Sequence, residues 1–176
     1  MAVRKNILVT GMPGSGKTTL IRKVAESLND VPAAGFYTEE IREDSQRKGF
    51  LLISLGGGRR VLSHVEIASR YRVGKYGVDI EGFDGFLDSL PVFDPSCRLV
   101  IIDEIGKMEC LSGKFVTMIQ QALGSAKPVV ATVASVGAGI ISDVKMRDDV
   151  SLFEVTRNNR DVLPEEITTA VRKLVG

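Results

Sequence analysis

The chain has 176 residues, 44% hydrophobic and 26% charged, with a net charge of +1; this is an ordinary soluble composition, enough for one domain that buries about 70% of its unfolded surface without staples. The balanced charge gives no global field that would favour nucleic acid or an anionic membrane. Two cysteines, Cys97 and Cys110, and one histidine, His64, are too few for a convincing zinc site or a disulfide framework, and without a Gly-x-Ser-x-Gly elbow His64 makes a poor case for a serine hydrolase.

At the N-terminus, "MAVRKNILVTGMPGSGK" has too short an apolar run for a signal peptide, and no stretch reaches transmembrane length. With two reduced cysteines, a cytoplasmic, membrane-free monomer is expected. "NILVT" reads as a short buried strand ending at Gly11, followed by a helix with Leu20, Ile21, Val24, Ala25 and Leu28 on one face. "AAGFYT" is a second strand. The stretch between Gly49 and Val65 predicts an antiparallel hairpin turning at Gly56–Gly58. From Ile67 to Pro95 the pattern is weaker, with a short helix expected around Phe83, Phe86, Leu87 and Leu90. "RLVIID" is a buried strand, and Phe115, Met118, Ile119, Ala122 and Leu123 mark a helix that should end with Gly124 just beyond it. "KPVVATV" and "VSLFEVT" are further buried strands, and a last helix opens at Pro164. Alternating strands and helices predict a single α/β domain over residues 1–176, a mostly parallel sheet covered on both faces, with the hairpin as an insertion at about 49–65. Ligands bind such sheets beyond the carboxyl ends of the strands, where Gly11, Asp103, Thr132 and Thr156 should fall.

The chemistry is concentrated in two places. "GMPGSGKT", comprising Gly11, Met12, Pro13, Gly14, Ser15, Gly16, Lys17 and Thr18, satisfies Gly-x-x-x-x-Gly-Lys-Ser/Thr and sits between a predicted strand and a helix, as that motif requires. Its glycines let backbone N–H groups wrap a polyphosphate, and the helix N-terminus adds partial positive charge. Lys17 offers a cation to the β/γ oxygens, and the Thr18 hydroxyl offers a ligand to Mg²⁺. Adjacent Asp103 and Glu104 end the strand "RLVIID", where paired carboxylates are costly unless a cation or phosphate answers them. Asp103 is expected to approach the Mg²⁺ held by Thr18, through a water, and Glu104 to orient or deprotonate the attacking water.

With both motifs in place the chain resembles the small nucleoside-triphosphatase family first described from thermophiles, also called cancer-related nucleoside-triphosphatases. The resemblance runs nearly end to end through "GMPGSGKTTL", "GFYTEEIRE", "KGF", "VGKYGV", "VIIDEIGKME", the "AT" of "VVATV" and "EVTRNNRD". It implies a RecA-like phosphate-loop core with a small antiparallel extension and Mg²⁺-dependent hydrolysis of several nucleoside triphosphates to diphosphates. On this chain it implies that Gly11 through Thr18 hold phosphate and that Asp103 and Glu104 are the hydrolytic acids; Asn159, Arg160 and Asp161 match the family's Asn-Arg-Asp. Thr19, Ile105 and Gly106, which flank these motifs, complete the expected nucleotide site with Asn159 and Arg160. Two positions depart from the pattern: Lys48, where the family often has arginine before Gly-Phe, and "ATVAS", where a proline is more usual.

Other candidates carry two readings each. Arg160 could contact base, ribose or γ-phosphate, or form an ion pair with Asp161. Arg42 reads as a surface charge rather than a catalytic arginine, and Arg157 stands beside the same late loop. Lys107 and Glu109 could support the acids or form an exposed pair; Thr132 could sense γ-phosphate or be an ordinary strand residue. Tyr37, Phe50, Tyr71 and Tyr76 are scattered aromatics that suit packing better than stacking on a base or nucleic acid. Hydrolysis leads. A nucleotide or small-metabolite kinase is the alternative, although no dense arginine lid is present, and a slow triphosphate-gated switch on nucleic acid is the third. No Asn-Lys-x-Asp occurs in the chain, so broad use of ATP, GTP, CTP and UTP is expected.

Overall fold

The computed structural model describes residues 3–176. Nine strands form one continuous sheet: β1 (Asn6–Thr10), β2 (Ala33–Glu43), β3 (Gln46–Ser54), β4 (Arg59–His64), β5 (Arg72–Val73), β6 (Tyr76–Val78), β7 (Leu99–Ile105), β8 (Val129–Val133) and β9 (Val150–Glu154). Their order is β5-β6-β4-β3-β2-β7-β8-β1-β9. β2, β7, β8, β1 and β9 run parallel to their neighbours within that group, and β3, β4, β6 and β5 continue the sheet in antiparallel fashion. The fold is α/β, of the phosphate-loop kind.

Helices cover both faces. α1 (Lys17–Ser27) and α5 (Leu163–Val175) lie together on one face, where Leu20, Ile21, Val24, Leu163, Ile167 and Val171 meet Ile7, Val9 and Ile101 from the strands. α2 (Ile80–Asp88), α3 (Gly113–Gly124) and the short α4 (Ile140–Asp143) take the other face. There Phe36 meets Phe83 and Phe86 edge-on at centroid distances of 6.0 and 5.7 Å, and Phe115 stands 5.6 Å from Phe83. The apolar spacing of each helix accounts for this division, because three to four residues per two turns face the sheet. Local chemistry sets the helix ends. The Ser112 hydroxyl accepts from Phe115 N–H at 3.0 Å to start α3, while α5 carries Pro164 and two acids in its first turn and Arg172 and Lys173 in its last.

The antiparallel part is larger than the expected hairpin. β2 runs on through charged "EEIRE" to Glu43 and turns at Asp44 and Ser45, both left-handed with φ of 48° and 62°, the pair of conformations that a two-residue hairpin loop requires. The expected glycine turn links β3 and β4. A second small hairpin, β5–β6, lies in the weakly patterned segment. β9 is an edge strand rather than a buried one, with Leu152 46% exposed. Gly124 is the last helical residue of α3, and Ser125 caps it. No helix among the described residues is long and apolar enough to cross a membrane.

The β2–β7 pair joins the two halves of the sheet, in register from Ala33↔Leu99 to Phe36↔Ile102. Gly35 sits there with φ +135°, and a side chain on it would collide with the Ile101 carbonyl. Gly35→Ala should therefore destabilise the fold by roughly 1–3 kcal/mol or more, read as a lowered urea midpoint. An unchanged midpoint would mean that β2 can leave β7 freely.

Candidate active site

The loop from Gly11 to Gly16 leaves β1 and enters α1 with Gly14 at φ +76° and Gly16 at φ +104°, conformations that side-chain-bearing residues rarely adopt. Gly16 caps α1, and Leu20 N–H donates to its carbonyl at 2.9 Å. Met12, Pro13, Gly14 and Thr19 are exposed; Ser15 and Thr18 are half-buried. The Ser15 hydroxyl oxygen is buried without a hydrogen-bond partner among the described residues. Lys17 folds back over the loop: its ammonium donates to the Gly11 carbonyl at 2.8 Å and lies 3.9 Å from Glu104 Oε2.

β7 is not adjacent to β1, because β8 lies between them. Asp103 therefore faces the loop across an intervening strand, and its environment is built by both of its own neighbours. It is 1% exposed. Thr132 of β8 donates its hydroxyl to Asp103 Oδ1 at 2.7 Å, and Thr38 of β2 donates its hydroxyl and its backbone N–H to Oδ2 at 3.1 and 3.3 Å. Charge-assisted bonds of this kind are the strong ones. No cationic side chain among the described residues stands within 4.0 Å of Asp103. Asp103, a buried carboxylate fixed on both oxygens, and the half-buried Thr18 hydroxyl are hard-oxygen donors of the kind that a hydrated Mg²⁺ takes. Among the described residues no group of three or more His, Cys, Asp and Glu could hold a metal ion by itself.

Glu104 follows, the peptide between the two acids is cis, and the β7–β8 ladder shifts register between Ile102 and Ile105. Burial pushes the Glu104 carboxyl above the ordinary glutamate range; the Lys17 charge opposes this, Asp103 adds to it and Lys145 opposes it. Ile105 points into the core, and Gly106 is buried where two carboxylates converge. A Cβ on Gly106 would stand 2.6 Å from Glu104 Oε1 and 2.9 Å from Glu109 Oε2. Glu109 is 7% exposed, so it forms no exposed ion pair; Lys107 is exposed. Burial, reinforced by Glu104, raises the Glu109 carboxyl well above its ordinary value, although backbone bonds within its own turn oppose this. The same burial and acids push the Cys110 thiol up to about 12.

The late loop reaches the site from the far side. The Asn159 amide is engaged within that loop, accepting from Thr156 N–H at 2.8 Å and donating to the Glu154 carbonyl at 2.8 Å. This clamp carries Arg160 past Gly16, its Cδ 4.0 Å from where a Cβ there would stand. Arg160 is exposed and makes no ion pair with Asp161. Arg157 is exposed on the same loop. Arg42 is elsewhere: four residues beyond Thr38 along β2, it pairs with Glu40 at 2.6 Å and donates to the Ser45 carbonyl at 2.6 Å. Of the aromatics, Phe50 and Tyr76 pack edge-on at 5.7 Å beneath Arg47, Tyr37 lies under Arg22, and Tyr71 lies under Arg70.

A family profile described as NTPase matches residues 6–168. A nucleoside-triphosphatase THEP1 of Thermotoga sp. (strain RQ2) is 43% identical over 94% of this chain and 95% of that protein. The human cancer-related nucleoside-triphosphatase is 37% identical, covering 96% and 97%. The crystal structure of THEP1 from the hyperthermophile Aquifex aeolicus matches with a TM-score of 0.82 and 34% identity over 94% of this chain and 98% of that one. The chain belongs to this NTPase family.

Sequence reasoning missed Thr38 and Lys145 and left the role of Glu109 open. Thr38 lay in a recognised strand, but only the sheet order brings it beside Asp103. The burial of Glu109 has a measurable consequence. A carboxyl whose pKa rises on folding contributes its full stability below its ordinary value of 4.5 and loses it as pH climbs towards the raised one. Glu109→Gln keeps the shape and the acceptor without the charge. It should melt higher than the parent at about pH 8, by roughly 2–4 °C per kcal/mol recovered, with the gap closing towards about pH 4.5. A lower melting point at both pH values would show that Glu109 is stabilising as a carboxylate.

Proposed function

We propose that this chain hydrolyses nucleoside triphosphates to diphosphate and phosphate with Mg²⁺, using the phosphate loop for binding and Glu104 for chemistry. The observation that carries the reading is the approach of Glu104 Oε2 to Lys17 Nζ, at 3.9 Å over the loop. This brings a carboxylate and the phosphate-facing cation to one point. In this reading the loop N–H groups and Lys17 take the β- and γ-phosphates, and Thr18 and Asp103 hold the metal, which supplies charge neutralisation at the phosphate oxygens. Glu104 accepts a proton from the water as its oxygen bonds to the γ-phosphorus; the bond to the β-phosphate oxygen breaks, and Lys17 balances the charge left there. Water, unlike a bound acceptor hydroxyl, has to be placed by the protein, and a second carboxylate beside the metal ligand suits that task.

Broad base use is part of the proposal. The Asn159 amide is spent on its own loop, which leaves Arg160 as the late loop's contribution near Gly16. Arg160 would meet phosphate, ribose or base by charge and stacking rather than by a paired hydrogen-bond code. Affinity would then come from phosphate and metal, which all four triphosphates share.

Phosphate release from ATP, GTP, CTP and UTP, with and without a panel of acceptors, tests the class. The expected result is release from all four, with kcat/KM within about 10³ of one another and no gain from acceptors. Glu104→Gln should lower turnover by about 10²–10⁴ with nucleotide still bound. Asp103→Asn should weaken the Mg²⁺ dependence together with the rate, and Lys17→Ala should abolish both binding and turnover. Small, equal effects of the Glu104 and Asp103 changes, or phosphate transfer to an acceptor in preference to water, would overturn the reading.

A further inference from the structure

Beyond β8 the chain leaves through a loop, forms α4, and returns in a 3-10 turn, Val144–Met146. That turn carries Lys145 back to the carboxyl end of β8, where its ammonium donates to the Ala134 carbonyl at 2.5 Å and to that of Ser135 at 3.0 Å. β1 and β8 are parallel neighbours in register at Val9↔Thr132; Gly11 follows the last residue of β1 and Ala134 the last residue of β8. Lys17 rests on the Gly11 carbonyl. Two ammonium groups thus hang from carbonyls just past the ends of two parallel strands that neighbour each other in the sheet.

Lys17 is 3.9 Å from Glu104, and Lys145 is half-buried with its ammonium on two backbone carbonyls. A carbonyl is a neutral acceptor, and a phosphate oxygen is a charged and stronger one. A flexible four-carbon stem lets a lysine exchange the first for the second without moving the backbone.

We propose that Lys145 is a second catalytic cation that leaves the Ala134 carbonyl to bind a γ-phosphate oxygen, so that the site recognises the third phosphate with two lysines. The inference rests on the hydrolytic reading above. Charge in phosphoryl transfer spreads over the γ oxygens, and Lys17 alone has to serve both sides of the bond that breaks. Lys145 reaches the same end of the sheet from the β8 side. A lysine that merely tied down the loop after β8 would affect diphosphate and triphosphate alike.

The test is the ratio of ATP to ADP affinity, measured with fluorescent nucleotide analogues on the full chain, for the parent, Lys145→Met and Lys145→Arg. Methionine keeps the stem and its packing. ATP affinity should fall about 10–100-fold with ADP affinity unchanged, kcat should fall about 10²–10³, and arginine should recover part of both. Equal losses for ATP and ADP, a lower melting temperature with the ratio intact, or unchanged turnover would each overturn the proposal. If the parent releases no phosphate, the hydrolytic reading fails while the affinity ratio still reports on Lys145. If the parent hydrolyses and the ratio stays the same in Lys145→Met, only the second cation is lost.

Discussion

A single buried carboxylate organises this molecule. Asp103 is held by hydroxyls from strands on both of its flanks, Thr132 at 2.7 Å and Thr38 at 3.1 Å. Removing either would leave a charged group deprived of a donor in a place that water does not reach, where such losses cost about 1–3 kcal/mol or more. The bond to Thr38 has a second effect. β2 pairs in parallel with β7 only as far as Phe36 and then continues as the first strand of the antiparallel extension. Asp103 therefore fastens that extension to the core at the point where the regular β2–β7 ladder has ended. The extension and Asp103 share one hydrogen-bond cluster, so a disturbance of either reaches the other.

Much of this was legible in the residues because the relevant signals are local. The phosphate loop is a contiguous motif with a strand before it and a helix after it, and its Lys17 and Thr18 needed no tertiary information. The helices on both faces followed from apolar spacing. What was not legible is what only the order of strands creates. β8 separates β1 from β7, and no pattern in "VVATV" shows that Thr132 will spend its hydroxyl on Asp103. "EEIREDSQR" reads as a charged loop, yet it is the end of one strand, a left-handed two-residue turn and the start of the next. That end of β2 is at most half-buried and carries only Ile41 as an apolar residue, so no apolar alternation betrays it, and the Asp-Ser turn lacks the glycine that usually marks one. Glu109 was ambiguous for a similar reason: "GKMEC" has no period, so its burial depended on a turn folding under Gly106.

The electrostatics explain why three acids can stand together here. Asp103 is satisfied by donors, and Glu104 has Lys17 nearby. Glu109 is buried with its pKa well raised, which favours the neutral form and spares the site a third negative charge. Were all three ionised, the field at the loop would repel a triphosphate. Lys17 stands 3.9 Å from Glu104, and the Gly11–Gly16 N–H groups and the α1 N-terminus favour anion binding there. On the proposed hydrolytic reading, an incoming triphosphate and its metal would arrive as opposite charges, the metal towards Asp103 and the phosphates towards Lys17. Binding one without the other would then leave part of this arrangement unanswered, so the same reading couples nucleotide uptake to metal uptake.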